Sequence, residues 1–187
     1  MAEPQQRPAR YEDLLALPDN LVGEIIDGEL HAQPRPAPKH ALASSSLTEE
    51  LLGPFSKGRG GGPGGWWILD EPELHLGPDV LVPDLAGWRR ERLPALPEAA
   101  WFELPPDWAC EILSPATARV DRMLKMPRYA ANGVAYCWLV DPAARTLEAF
   151  KLSAGQWLLQ GAFVDEAEIS VEPFDAIAFP LSALWAD

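Results

Sequence analysis

Twenty of the 187 residues are proline, and they are spread along the whole chain. Proline lacks a backbone N–H and fixes φ, so it stops helices and is excluded from the middle of a sheet. A chain punctuated in this way must be assembled from many short elements with hard stops between them. Residues 11–17 read as a short helix ended by Pro18. Residues 21–27 and 29–32 flank Asp27-Gly28, a dipeptide suited to a tight hairpin turn. After the proline-rich stretch 34–38, apolar Leu42, Leu47, Leu51, Leu52 and Phe55 recur mostly at three- or four-residue spacing, the mark of one buried helix face over 40–55.

Glycine-dense 57–65 must be a loop. Strand-like runs follow at 66–69, 73–76 and 80–86, and residues 89–106, with four prolines, read as loop. A buried strand is expected over 108–113. Residues 115–132 have helical composition, with Pro127 as an expected interruption and Asn132-Gly133 as a left-handed stop. Short apolar runs at 135–140, 146–152, 156–162 and 169–171 complete the chain, without internal repeats. Helix, strands, helix, strands is the pattern of an α/β or α+β sheet of modest size.

Fifteen Lys and Arg against 28 Asp and Glu give a formal charge of −13. This argues against electrostatic capture of a polyanion by the surface as a whole, while leaving room for a local cationic groove or a metal site built from carboxylates. With 48% hydrophobic and 23% charged residues, the composition is that of a globular protein, not a disordered or fibrous one. We expect a polar, flexible segment over 1–10 and a single domain over 11–187. No window reaches the ~18 apolar residues of a membrane span, and no apolar signal core follows the N-terminus, so the expectation is a cytoplasmic protein without a membrane partner. Cys110 and Cys137, each inside an apolar run, read as buried reduced thiols. Together with His31, His40 and His75 they form no zinc-ligand spacing. A phosphate loop at 57–65 is disfavoured, because the Gly-Lys-Ser/Thr ending is missing and Trp66-Trp67 follow.

The chemistry-bearing set is Asp84, Glu111 and Lys125. Asp84 ends the apolar run Val80-Leu81-Val82-Pro83. Glu111 sits inside Trp108-Ala109-Cys110-Glu111-Ile112-Leu113, where its neighbours predict burial, and a buried carboxylate needs a cationic partner. Two carboxylates from neighbouring strands make an oxygen site for Mg²⁺ or Mn²⁺. Lys125 lies four residues after Asp121 and four before Tyr129, so the three can share a helix face. Singly, each has a bland reading: a solvated strand end, an ion-pair partner for an arginine, a surface lysine. An acid on one strand, an acid on the next and a lysine on the following helix is the arrangement that points to function.

A longer ordered set of residues carries a resemblance. It comprises Val22-Gly23-Glu24-Ile25-Ile26-Asp27-Gly28-Glu29-Leu30, His40 opening a helix, Val82-Pro83-Asp84, and Glu111-Ile112-Leu113-Ser114-Pro115. Asp121, Lys125, Tyr129, Gly133-Val134 and Trp138-Leu139-Val140-Asp141-Pro142 follow. From about residue 11 to 181 the chain resembles the bacterial Uma-type family of restriction endonucleases, within the PD-(D/E)XK nuclease superfamily. The resemblance implies a restriction-endonuclease-like core, a central mixed β-sheet flanked by helices. It makes Asp84 the acid of the Pro-Asp pair and Glu111 the second acid. The lysine usual two residues after that acid is replaced by Leu113, and Lys125 would be its migrated equivalent. Glu24 and His40 match further positions and are possible additional site residues. Ala135-Tyr136-Cys137 departs from the usual Pro-Glu-Tyr, and the loop 58–65 is unusually rich in glycine.

The function implied is a divalent-metal-dependent DNA endonuclease, with Mg²⁺ or Mn²⁺ on Asp84 and Glu111 and Lys125 acting at the attacked phosphate. The alternative is a nucleic-acid-binding or regulatory module that keeps the fold without cleaving. Arg89, Arg90 and Arg92, in the loop between the two acid-bearing strands, are either a DNA contact or a solvated surface. The oligomeric state stays open, with a homodimer as one option by analogy with nucleases that pair to cut two strands.

Overall fold

The computed structural model describes residues 7–185. The part of the expected flexible segment that covers 1–6 lies outside the described residues. Within 7–10, Ala9 N–H donates to the Gly28 carbonyl and Arg7 pairs with Asp13 at 2.7 Å. After α1 (Tyr11–Leu15), strands β1 (Leu21–Ile26) and β2 (Glu29–Pro34) form an antiparallel hairpin. Its turn places Asp27 at φ 56° and Gly28 at φ 75°. Two successive left-handed residues match the right-handed twist of a hairpin, which is why Asp-Gly sits there.

Helix α2 (Pro38–Leu51) starts with proline in its first turn, where the missing N–H is harmless, and runs into a π-helical turn at Leu52–Ser56. Its buried seam is Ala43, Leu47, Leu51 and Phe55, at strict four-residue spacing. Leu42, expected on that face, is exposed instead, because the smaller Ala43 takes the place against the sheet.

The next strands are β3 (Trp66–Asp70), β4 (Leu74–Leu76), β5 (Asp79–Leu81) and β6 (Leu85–Arg89). The run expected as one strand over 80–86 is therefore two, and they belong to different sheets. Pro83 cannot donate to a ladder, so the chain leaves one sheet and enters the other across Val82-Pro83-Asp84. Strand β7 (Trp108–Ile112) leads to α3 (Ala118–Val120), a π-helical turn at Asp121–Lys125, and α4 (Met126–Ala131). Thus the interruption expected at Pro127 is a widened turn just before it. Strands β8 (Tyr136–Asp141), β9 (Thr146–Ser153) and β10 (Gln156–Val164) follow, then the short β11 (Glu168–Ile169) and β12 (Phe179–Pro180) and a 3₁₀ turn at Leu181–Leu184.

One sheet has the order β10-β9-β8-β7-β6-β3 and a second β2-β1-β5-β4. In the larger sheet β7 and β8 are parallel, joined by the helical crossover, and the other neighbours are antiparallel. The expected central mixed sheet with flanking helices is what forms. Alternation along β7 divides the core. Trp108, Cys110 and Ile112 face α2 and the C-terminal segment, with Trp66, Trp138 and Phe174. Ala109 faces α4 and the smaller sheet, with Ile26, Leu81, Tyr129 and Cys137. Phe174 lies at the centre of the aromatic packing, its ring centroid 4.9 Å from Trp108, 5.0 Å from Trp66 and 4.8 Å from Phe55. Glu111 shares the parity of Ala109 and so projects toward α4.

Cys110 and Cys137 are free and fully buried, and burial pushes both thiols up from their ordinary values. Neither should react with a thiol-specific disulfide reagent in the native protein, and both should react after denaturation in guanidinium. Rapid labelling of either thiol without denaturant would contradict this packing.

Candidate active site

Strands β6 and β7 pair with Leu85 opposite Cys110 and Ala86 opposite Ala109. Carried one residue further, this register sets Asp84 across from Glu111. Asp84 is fixed at that point because its Oδ2 accepts the Ile112 N–H at 2.6 Å, in place of a backbone carbonyl. Its Oδ1 lies 3.2 Å from Nε2 of His40, in the first turn of α2.

Glu111 is buried, and both of its oxygens are engaged. The Lys125 ammonium donates to it at 2.9 Å, and the Tyr129 hydroxyl donates to Oε1 at 2.5 Å. Lys125 is itself buried. Its Nζ also lies 3.0 Å from Glu24 Oε1, 3.1 Å from the Val82 carbonyl and 3.9 Å from Asp121 Oδ1. Glu24 Oε1 in turn accepts the Val82 N–H at 2.7 Å. Val82, on the crossing between β5 and β6, thus finds partners for both its N–H and its carbonyl in this cluster.

Asp84, Glu111 and Lys125 all line one cavity of about 320 Å³, together with His40, Asp121, Arg35 and Glu71. Glu24 reaches the same group through Lys125. In the sequence Asp121 and Tyr129 share a helix face with Lys125 and belong to the set that carries the resemblance, with no role assigned to either. Here Asp121 is a buried acid of the cluster, and Tyr129 is the donor that fixes Glu111. The arginines at 89–92 go elsewhere. Arg89 stacks over Trp66 at 4.5 Å, Arg90 stacks over Trp67 at 3.9 Å, and Arg92 pairs with Asp107 at 2.8 Å. None of the three lines the cavity.

Four carboxylates, those of Glu24, Asp84, Glu111 and Asp121, surround one buried ammonium. Burial alone would lower Lys125, but the four acids together hold it well above its ordinary value, so it stays charged. Burial pushes Glu111 well up, against the opposing pull of Lys125. Asp121 is raised by burial to about 6, again against Lys125. The His40 imidazole is lowered by burial, and its bond to Asp84 with the nearby acids outweighs this and raises it. Its Nδ1 is buried without a hydrogen-bond partner among the described residues. The cluster has more carboxylate than cation to balance it. Among the described residues no three His, Cys, Asp or Glu side chains form a ready metal cage.

Two substitutions should move stability in opposite directions. A carboxyl raised on folding stabilises the fold fully below its unfolded pKa, and that contribution is lost as pH rises through the folded value. For Asp121 the window runs from roughly 4 to 6. Asp121→Asn should therefore be more stable than the parent at pH 8 by up to about 3 kcal/mol, with the difference vanishing near pH 4. Lys125→Met should lose roughly 3–5 kcal/mol, because it strands buried carboxylates. Urea unfolding across this pH range reads both, and equal stability of parent and Asp121→Asn at pH 8 would refute the crowded-acid picture.

Comparison with known proteins agrees with this architecture. A crystal structure titled as a putative nuclease belonging to DUF820, from Anabaena variabilis ATCC 29413, superposes with a TM-score of 0.76. It is 23% identical, and the match covers 95% of this chain and 97% of that one, which shows a shared fold. No curated protein matches the chain. The model of the Uma2 family, described as "Putative restriction endonuclease", matches residues 9–182. Across nearly its whole length, including every residue of the acid cluster, the chain belongs to the Uma2 family.

Proposed function

We propose that this protein is an endonuclease that hydrolyses DNA phosphodiester bonds with Mg²⁺ or Mn²⁺ held by Asp84 and Glu111. The observation that carries the reading is the surplus of carboxylate around one buried lysine at the floor of a cavity. The donor set suits a hard cation. Mg²⁺ takes one or two carboxylates and completes its shell with water and phosphate oxygens. Lys125 meets both Glu111 oxygens and Tyr129 adds a donor at Oε1, so Oε2 is the oxygen that keeps a lone pair, and Asp84 Oδ1 meets no donor other than His40 among the described residues. When bound, such an ion would polarise the scissile phosphate and lower the pKa of a water.

The protein's own groups do the positioning. Tyr129 and Lys125 hold the Glu111 carboxylate from two sides, and the Ile112 N–H and His40 hold Asp84. Preorganised in this way, the two acids need no rearrangement when substrate arrives. Lys125 supplies a fixed positive charge next to the developing charge on phosphorus. One observation favours the alternative, a module that binds without cutting. The Lys125 ammonium has three N–H donors, and Glu111, Glu24 and the Val82 carbonyl account for all three.

With Mn²⁺ or Mg²⁺ the protein should nick supercoiled plasmid. Glu111→Gln should lower the rate on the order of 10²-fold or more, and Tyr129→Phe roughly tenfold, since it only positions Glu111. If metal-dependent cleavage is absent while DNA binding is intact and insensitive to Glu111→Gln, the non-cleaving reading takes its place.

A further inference from the structure

The walls of the cavity above the acid cluster differ from its floor. Val22, Val82, Pro34, Pro36, Pro115 and Ala116 line it, a rigid apolar surface with three prolines. Its volume of about 320 Å³ lies at the small end of small-molecule sites, ~300–1,000 Å³. A space of that size admits the base, sugar and phosphate of one nucleotide. Two paired strands stay outside it.

The rim supplies the complementary charge. Arg35 lies between Pro34 and Pro36, which restrict its backbone, and its side chain is 61% exposed. It is loosely held, 3.8 Å from Glu71 and 3.4 Å from the Asp19 carbonyl. Exposed Lys39 lies between the lining residues Ala37 and His40, and exposed Arg119 follows the lining residue Thr117 by two. Neither makes an ion pair among the described residues. In a chain of net charge −13, Arg35 is thus the one exposed arginine or lysine among the described residues that line the cavity, with Lys39 and Arg119 near lining residues in the sequence, while Arg89, Arg90 and Arg92 are occupied elsewhere. Duplex DNA carries a charge about every 1.7 Å and is gripped through many phosphates, whereas a short unpaired segment needs few.

We propose that the cavity receives one nucleotide of an unpaired DNA strand, its phosphate facing the divalent ion that Asp84 and Glu111 would hold, its base against the proline walls, and the next phosphate on Arg35. This rests on the nuclease reading and names its substrate as single-stranded DNA or an overhang. Fluorescence anisotropy should compare a labelled 12-nucleotide single strand, the same strand as an overhang on a duplex, and a blunt duplex, all with Ca²⁺, while cleavage of each is followed with Mn²⁺. The single strand and the overhang should bind at least tenfold tighter than the blunt duplex. The Arg35 contact alone should contribute about −0.7 to the slope of log affinity against log salt, so Arg35→Gln should weaken binding and flatten that slope by about 0.7. Circular dichroism and the Tm of Arg35→Gln confirm that its fold is unchanged. Blunt duplex bound and cut as well as the single strand, or an unaltered Arg35→Gln, would overturn this inference and leave the nuclease reading standing. Selective single-strand binding without cleavage would support it and overturn the nuclease reading, and no binding to any of the three would overturn both.

Discussion

The charge on Lys125 is the constraint around which the molecule is arranged. Taking an ammonium out of water is costly, and its attraction to buried carboxylates repays that cost only when the geometry is good and the remaining donors are satisfied. Its partners come from every part of the core. Glu24 belongs to the smaller sheet, the Val82 carbonyl to the crossing between sheets, Glu111 to the centre of the larger sheet, and Asp121 to the same helical crossover as Lys125. One side chain therefore fixes how two sheets and a helical crossover meet. A network of this kind specifies an arrangement more than it adds stability, since each member is costly if any partner is lost.

The parts of the site that could be read in the sequence were those with a local cause. Glu111 declares itself because a carboxylate stands in an otherwise apolar strand. Asp84 follows a proline that has to end a ladder. Asp121, Lys125 and Tyr129 are spaced by four, and they do meet at one point despite the widened turn. The division into three helical stretches and many short strands followed from proline and glycine punctuation.

What could not be read depended on distant partners. The run 80–86 is apolar on both sides of Pro83-Asp84, and although the proline marks a break, nothing local says that the two halves enter different sheets. Only the pairing of Val82 with Glu24 and Lys125 shows what compensates the break. Arg89, Arg90 and Arg92 have the look of a polyanion contact, yet aromatic rings of β3 and the carboxylate of Asp107 absorb them. Cation–π stacking on a neighbouring strand leaves no trace in spacing. Leu42 shows the same limit on a smaller scale, since a helix face is chosen by fit to the sheet as well as by hydropathy.

The π-helical turn at Asp121–Lys125 has a consequence for how such a chain can vary. A π turn is an α-helix with one residue added, and each residue of an α-helix advances the side-chain direction by about 100°. The insertion lets Lys125 face Glu111 while Met126 and Tyr129 keep their places in the core. A relative lacking that residue would need to carry its ammonium one position away, or reach the carboxylate with a different side chain. The separation between second acid and lysine is thus a variable of helix winding, and a chain can lengthen or shorten it by a single codon without rebuilding the sheet.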